Sequence, residues 1–310
     1  TVKNLGGDPE NPFVIFPETE TLYAKRREEL EKIVALKKAK LQNWAETHPE
    51  LAEKRRRWFA GELPAIDWSS IRQKEGVATR AASATVLSTL AQQVENMLVA
   101  SADLSNSDKT DGFLKHTKAL TRGDFSGAFL QAGVSEFTMS CLAIGMGLHG
   151  GVIPACGTFF VFSDYMKPSI RVAALMQTPV IFIWTHDAFR VGEDGPTHQP
   201  VEQEAQIRLL EKLQNHHGQN AMLVLRPADA NETTVAWKMA LENKDTPTGL
   251  ILSRQNVTDL PAEGLRYEAA LHAEKGAYVV QDEENFDVIL LASGSEVSTL
   301  VEGAKLLRAE

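Results

Sequence analysis

Residues 180–200 read VIFIWTHDAFRVGEDGPTHQP. The stretch opens on an apolar run, Val180 to Trp184, which predicts a buried strand. A polar segment follows at once, and within 13 residues it holds five groups that could transfer protons or bind a metal ion: His186, Asp187, Glu193, Asp194 and His198. In an open α/β sheet, ligands bind just beyond the carboxyl ends of the strands. This order indicates a candidate active site, although the residues alone also allow a polar surface loop. A metal site is a further alternative, but no HExxH or comparable ligand spacing supports it.

The same alternation of apolar runs and helical patterns extends from Trp68 to about Asn256. The predicted strands are Met97 to Ala100, Ala128 to Gln131, part of Gly151 to Phe162, Val180 to Trp184, Met222 to Leu225 and Leu250 to Ser253. The predicted helices are Phe137 to Leu148, Ile170 to Met176, Val201 to Leu213 and Glu232 to Leu241. This βαβα order predicts an α/β fold, with a mainly parallel sheet and helices on both of its faces.

The first 66 residues have a different texture, because charged residues crowd between Lys25 and Arg57. Apolar residues recur among them at helical spacing, which predicts an amphipathic helix with one buried stripe: Leu30, Ile33, Val34, Leu36 and Leu41. Pro49 is expected to restart the helix, and Gly61 to Pro64 to form a linker.

Composition narrows the class of protein. A length of 310 residues predicts about two domains. The net charge of −9 argues against nucleic-acid and anionic-membrane partners, and the apolar stretches are too short to span a bilayer. Cys141 and Cys156 form no CxxC, so we expect a reducing, cytoplasmic location. The N-terminal segment TVKNLGGDPENPF has no basic stretch followed by an apolar run, so we expect no signal peptide. The chain begins without Met and stops at LLRAE, which suggests part of a longer protein.

Two further segments are interpreted from the sequence patterns that flank them. Gly145 to Gly150 matches the dinucleotide pattern GxGxxG, but a helical pattern precedes it and a strand follows, so we interpret it as the end of a helix. Near the end of the chain, a strand at Val288 to Ala292, the turn Ser293 to Ser295 and a helix at Glu296 to Leu307 predict one βα unit. Such a unit cannot bury its own faces, so we expect it to open a further domain.

Glu136 lies between the strand that ends near Gln131 and an apolar helix. A carboxyl group there is favoured by the helix dipole, and in aromatic surroundings it could also act in proton transfer. Phe159, Phe162 and Tyr165 recur at every third residue after Gly157; on their own, they are typical of a core.

Four ordered motifs carry a family resemblance: GTFFVFSDY at 157–165, THD with GEDGPTHQP at 185–200, RPADANE at 226–232 and LSRQN at 252–256. Together they resemble transketolase, a thiamine diphosphate-dependent family. The resemblance covers the later part of that architecture. It implies the end of a diphosphate-binding domain with a helical linker at 1–66, a pyrimidine-binding domain at 67–262 and the start of a C-terminal domain at 263–310.

The resemblance also implies roles for particular residues. Glu136 matches the catalytic glutamate that hydrogen-bonds the pyrimidine ring of the cofactor; Phe159, Phe162 and Tyr165 match the aromatic pocket around that ring, and Asp103 matches a residue at its edge. The positions that match sugar-phosphate ligands are Arg80, Ser107, His186 and Arg254. Asp194 and His198 match groups that contact the donor hydroxyls and act in catalysis.

Three departures from the family pattern stand out. Ser135 and Phe137 flank the glutamate where the family has a basic residue and a histidine. Residues 211–220, with His216 and His217, look like a surface insertion. No GDG with a downstream Asn occurs, so the ligands of magnesium or calcium and of the diphosphate are expected on a missing diphosphate-binding domain.

These implications predict a transketolase that moves a two-carbon ketol unit between sugar phosphates, as in the pentose phosphate pathway and Calvin-type interconversions. The active site would form with a second copy or a complementary diphosphate-binding subunit, so the chain alone is expected to be catalytically incomplete. The alternatives are dihydroxyacetone synthase, deoxyxylulose phosphate synthase, a non-catalytic assembly subunit and, more remotely, a metal-dependent hydrolase.

Overall fold

A computed structural model describes residues 1–188 and 190–308. Its contacts divide the chain into two units, Thr1–Arg57 and Trp58–Glu310. The helices are α1 Pro17–Thr47, α2 Pro49–Phe59, α3 Thr79–Gln93, α4 Ser105–Asp108, α5 Asp111–Leu114, α6 Glu136–His149, α7 Ser163–Leu175, α8 Gln203–Lys212, α9 Ala230–Glu242, α10 Arg266–Ala270 and α11 Glu296–Leu307. The strands are β1 Met97–Ser101, β2 Phe129–Gln131, β3 Ile153–Phe159, β4 Ile181–Thr185, β5 Leu223–Leu225 and β6 Thr248–Leu252.

The six strands form one sheet in the order β2-β1-β3-β4-β6-β5. Every pair is parallel, which confirms the predicted α/β class and each of the six strands to within about two residues. The chain moves outward from β1 to β2 and then returns past β1 to β3. This reversal leaves a crevice at the carboxyl ends of β1 and β3, where α/β sheets bind ligands.

Alternate side chains of each strand enter two separate cores, because successive residues point to opposite faces. On one face, Ile181 and Ile183 join a core with α3, α5 and α9; on the other, Phe182 and Trp184 join a core with α6, α7 and α8. Both faces are therefore apolar, and this explains why the strands appear in the sequence as continuous apolar runs.

The GxGxxG interpretation and the Glu136 position follow from the same element order. The α6 helix begins at Glu136 and ends at His149, and β3 begins three residues after Gly150. The glycine-rich segment thus ends a helix, with no strand leading into it, and so lacks the geometry of a dinucleotide site.

In the N-terminal unit, the predicted helix is present as α1, and α2 begins at Pro49 as expected. The expected burial of its stripe is wrong: its five apolar residues are between 40% and 64% exposed. Residues 1–57 contain no second layer that could cover them, since α1 buries none of its residues. Nowhere in the described residues does a helix combine the length and hydrophobicity needed to cross a membrane.

The predicted strand at 288–292 is also wrong. Helix α11 is present, but residues 288–292 have no assigned secondary structure, and Val288, Ile289 and Leu291 are more than 60% exposed. A strand requires a neighbour for its backbone hydrogen bonds, and no described segment pairs with this one.

Candidate active site

The predicted site residues come together at the carboxyl edge of the sheet. The register aligns Phe159 at the end of β3 with Thr185 at the end of β4, and Thr185 with Leu252 of β6. His186 and Arg254 follow directly, one and two residues after their strands. The fold thus gathers residues that are up to 174 positions apart in sequence, such as Arg80 and Arg254, at a single edge.

Glu136 lies at the first turn of α6 and is 7% exposed. The buried hydroxyl of Thr158, in β3, donates to its Oε1 over 3.4 Å. Within the described part of the chain, no other hydrogen bond to this carboxyl group is found. A nearly buried carboxyl with a free oxygen, held at a helix N-terminus, can bind one more donor with a fixed direction.

An aromatic cluster borders the edge of the sheet. The rings of Phe159 and Phe162 stack with centroids 5.9 Å apart, and Tyr165 stacks on Phe162 at 6.0 Å. His198 meets Phe159 and Phe162 edge-on at 5.8 and 5.3 Å. His186 lies 3.7 Å from Phe159 between ring centroids. Tyr165 is 61% exposed, so this apolar wall has an open side.

Beyond the aromatic cluster, two arginines converge on one histidine. Arg80 Nη1 lies 3.5 Å from His186 Nε2, and it donates to the Ser107 carbonyl oxygen over 2.8 Å. Arg254 Nε lies 3.4 Å from Asp194 Oδ2, which is itself 3.7 Å from His186 Nε2. Two guanidinium groups carry two positive charges at this edge, and Asp194 supplies only one negative charge between them. Because like charges repel, an anionic ligand bound here would be stabilised.

Local hydrogen bonds bring the two arginines together. Thr79 at the start of α3 donates its backbone N–H to Ser253 Oγ over 3.0 Å, and the Ser253 N–H donates to Thr79 Oγ1 over 2.7 Å. The Ala78 N–H donates to the Asn256 side chain over 3.1 Å. These bonds fix the LSRQN loop against α3, so Arg80 and Arg254 are neighbours by construction of the fold.

Comparisons with known proteins show the family of the chain. A family model described as "Transketolase, pyrimidine binding domain" matches residues 75–259. The chain belongs to the transketolase family. It is similar to a curated transketolase from Halalkalibacterium halodurans, with 44% identity over 272 residues, 86% of this chain and 39% of that protein. The chain therefore spans less than half the length of the curated transketolases that it matches.

Solved transketolases share the fold. A Pichia stipitis transketolase in complex with sedoheptulose-7-phosphate aligns with a TM-score of 0.82 and 33% identity, over 99% of this chain and 45% of that one. A split-gene transketolase described as an inactive beta4 tetramer aligns with a TM-score of 0.58 and 29% identity, over 76% of this chain and 68% of that one.

Two other predicted transketolase positions take less defined places. Asp103 is exposed two residues after β1, with a left-handed φ of 65°. Ser107 lies on α4, where its hydroxyl is 3.4 Å from Arg80 Nη1. The predicted insertion at 211–220 is mostly exposed and contains one antiparallel bridge, Gln214 to Asn220.

Sequence reasoning missed Asp108, which organises the loop that carries Asp103 and Ser107. Its side chain is 1% exposed and accepts hydrogen bonds from Ser101 Oγ at 2.7 Å and from Thr110 Oγ1 at 2.7 Å. Burial raises its pKa above the usual aspartate value. Gly157 permits this arrangement, since a Cβ there would lie 2.6 Å from Thr110 Cγ2. The signal in the sequence was an acid within SADLSNSDKT, which resembles a solvated turn.

In the described residues, no group of three or more His, Cys, Asp and Glu side chains is arranged to hold a metal ion. The five polar groups of residues 186–198 therefore do not gather as a metal-ligand set. His186, Asp194 and His198 instead share their space with arginines and aromatic rings.

His186 is held as a neutral ring. Burial, together with the charges of Arg80, Arg254 and His198, lowers its pKa from 6.5 to about 3. An arginine can only donate, so Nε2 facing Arg80 is the acceptor and Nδ1 carries the proton that faces Thr185 Oγ1 at 2.9 Å.

This neutral state has a consequence for stability against pH. Below about pH 6.5 the unfolded chain protonates His186 whereas the folded chain does not, so we expect the unfolding free energy to fall as the pH drops towards 3. The limiting slope from this group is about 1.4 kcal/mol per pH unit. Urea unfolding of wild type and His186→Asn at pH 7, 6 and 5 should show a steeper loss in the wild type. His216→Asn, at an exposed histidine, serves as the control, and equal slopes for wild type and His186→Asn would contradict the expectation.

Proposed function

We propose that this chain supplies the pyrimidine-binding half of a transketolase active site, which transfers a two-carbon ketol unit from a ketose phosphate to an aldose phosphate. One observation carries the proposal: a buried carboxyl group, an open aromatic wall and a pair of neighbouring arginines lie together at the same edge of the sheet. A carboxyl and an aromatic wall suit a heteroaromatic ring, and the arginines suit a phosphate dianion. The pentose phosphate pathway and the cytoplasm are the setting that we propose for this reaction.

Glu136 and the aromatic cluster fit the aminopyrimidine ring of thiamine diphosphate. The free oxygen of Glu136 would hydrogen-bond a ring nitrogen, while Phe159, Phe162 and Tyr165 would provide apolar contact to the ring. We also propose Asp103 as a residue at the edge of the bound cofactor, as the family resemblance implies. When bound, thiamine diphosphate supplies a thiazolium carbon that becomes nucleophilic towards a ketose carbonyl. The Glu136 carboxyl is suited to exchange a proton with that ring, because Thr158 occupies only Oε1 and leaves the other oxygen available.

Arg80, Ser107, His186 and Arg254 form the proposed phosphate end of the site. The arginines donate charge-assisted hydrogen bonds, which are shorter and stronger than neutral ones. A phosphate between them would offset the charges of the two arginines. The Pichia stipitis relative solved with sedoheptulose-7-phosphate supports a sugar phosphate as the ligand class.

Asp194 and His198 lie between the phosphate end and the aromatic wall. Asp194 Oδ2 is close to both Arg254 and His186, and His198 contacts the rings of Phe159 and Phe162. From this position Asp194 accepts from a sugar hydroxyl, and His198 donates to the oxygen on which negative charge develops. These two residues, with Glu136, are the proposed catalytic groups.

A second polypeptide is proposed to complete the site, either another copy of this chain within a dimer or a complementary diphosphate-binding subunit. The chain covers less than half the length of its curated relatives. The split-gene relative supports the division of such an enzyme between two chains. Magnesium or calcium and the diphosphate would then be held by that second part. We retain 1–66, 67–262 and 263–310 as the proposed domain limits.

Titration calorimetry tests this proposal. Thiamine diphosphate with magnesium is titrated into this chain alone, and then into its mixture with a diphosphate-binding domain from a transketolase relative. We expect binding only in the mixture, followed by ketol transfer from a ketose phosphate in a turnover assay. Tight binding to this chain alone would contradict the division of the site, and no binding in either sample would favour a non-catalytic assembly subunit.

A further inference from the structure

An ion cluster with a buried centre, formed by Arg226 and Asp187, connects the RPADANE motif to the residue that follows His186. Arg226, whose side chain is 6% exposed, donates from Nη2 to Asp187 Oδ2 over 2.9 Å. Glu296 Oε2 lies 2.5 Å from the same nitrogen, and Ser295 Oγ donates to Asp187 Oδ2 over 2.7 Å. Glu204 Oε2 is 3.4 Å from Arg226 Nη1. Three carboxylates from different parts of the chain thus surround one guanidinium group.

The charges in this cluster depend on one another. Burial by itself would lower the pKa of Arg226, but the carboxylates of Asp187, Glu204 and Glu296 raise it above its usual value. Asp187 is 1% exposed in its side chain. A buried ion pair that loses one partner leaves an uncompensated charge in the interior. Arg226 therefore compensates the charge of Asp187 and, together with Ser295, fixes its position.

The turn before α11 also fits closely on Arg226. The guanidinium donates to the Ser293 carbonyl oxygen over 3.1 Å. Gly294 has a φ of 59°, and a Cβ at this position would lie 2.5 Å from Arg226 Cγ. Residues 293–296 are thus seated on the same side chain that holds Asp187.

His186 has an unusual backbone, with a φ of 63°. A bulky residue remains in the left-handed region only where its surroundings fix it. On one side Thr185 is fixed, as the last residue of β4, by its place in the sheet. On the other side Asp187 is fixed by Arg226 and Ser295. The cluster therefore supplies the second of the two restraints on His186.

We propose that Arg226 is a positioning residue, which holds His186 in its left-handed conformation by fixing Asp187, and that residues 293–296 complete this restraint when they are seated on Arg226. The value of that position for phosphate binding rests on the proposed function, whereas the restraint itself does not. The RPADANE motif then acts at a distance from the ligand, through the backbone of its neighbour.

Hydrogen exchange of the 310-residue chain tests the restraint. Ser295→Ala and Glu296→Gln each remove one contact of the cluster, and Glu302→Gln, which removes an exposed pair with Lys305 on the same helix, is the matched control. We expect the amides of residues 186–188 to exchange about tenfold faster in Ser295→Ala, which loses one charge-assisted hydrogen bond, and also faster than in the wild type in Glu296→Gln, which loses an ion pair with Arg226. The ring ¹H–¹⁵N signals of His186, assigned with His186→Asn, should shift in both variants and remain in place in Glu302→Gln.

Unchanged exchange at 186–188 in folded Ser295→Ala and Glu296→Gln would overturn the proposal, whether or not residues 293–300 exchange faster. Arg226→Lys keeps the charge and loses the forked donor geometry, so it provides the same comparison where another variant fails a thermal unfolding check. A separate titration with inorganic phosphate follows the His186 ring in the wild type. Failure of that ring to respond counts against the proposed phosphate site and leaves the exchange result to decide the proposal made here.

Discussion

Replacement of Glu136 by glutamine is expected to reduce ketol transfer by the reconstituted enzyme by about a hundredfold to ten-thousandfold, the usual range for loss of a general acid–base group. Glutamine keeps the volume and one acceptor oxygen of the side chain, so the Thr158 hydroxyl retains its partner. What is lost is the carboxyl group that we propose exchanges a proton with the pyrimidine ring. Because the helix start is otherwise unaltered, we expect thermal unfolding to remain nearly unchanged. Steady-state turnover and thermal unfolding, measured on the same preparation, check both parts.

The matched control for this variant is Glu50→Gln, at the first turn of α2. It removes a helix N-terminal carboxylate of the same kind and so accounts for the dipole contribution, about 0.3–1 kcal/mol at an exposed site. Full activity in Glu136→Gln would remove the proton-transfer role. An equal loss of stability and activity would favour the structural interpretation, in which Glu136 is a helix N-terminal residue stabilised by the helix dipole.

Glu136 could be predicted as a site residue from the sequence, whereas the role of Asp187 could not. The strands were predictable because burial on both faces makes them continuous apolar runs. The polar segment directly after one strand predicted His186 at the carboxyl edge of the sheet, and the family resemblance added Arg254. The family motifs marked RPADANE without any role for Arg226. Its partners lie 39 residues earlier and 70 residues later in the chain, and no local periodicity relates such positions.

Errors in the prediction arose where an element depends on a partner. The stripe of α1 and the segment at 288–292 have the pattern of buried structure, and pattern alone cannot show whether the covering surface is present. Asp108 was missed for the opposite reason, because an acid among serines is typical of solvent-exposed turns and its burial depends on the close approach allowed by Gly157. The left-handed backbone conformation of His186 also depends on tertiary contacts, so it could not be predicted from the sequence.

Arg254→Ala gives the other large expected effect, a rise in the KM for a ketose phosphate of about tenfold to a hundredfold, with a smaller change in kcat. A charge-assisted hydrogen bond contributes about 1.5–3 kcal/mol, and a phosphate interaction of this kind is made in the ground state as well as in the transition state. The loss should be confined to phosphorylated substrates, since Arg254 faces the phosphate end and reaches the reacting atoms only through Asp194, 3.4 Å away.

Arg208→Ala is the matched control, because Arg208 is comparably exposed but pairs with Glu204 and Glu211 on α8. Arg254→Lys separates charge from geometry, because lysine keeps the positive charge but lacks the forked donors of the guanidinium group. A KM for Arg254→Lys close to that of the wild type would assign the effect to charge alone. An equal KM increase for an unphosphorylated ketose would place Arg254 outside the phosphate end. In that case its contact with Asp194 becomes the main role, and the convergence of the two arginines on a neutral His186 needs an anionic ligand other than a sugar phosphate.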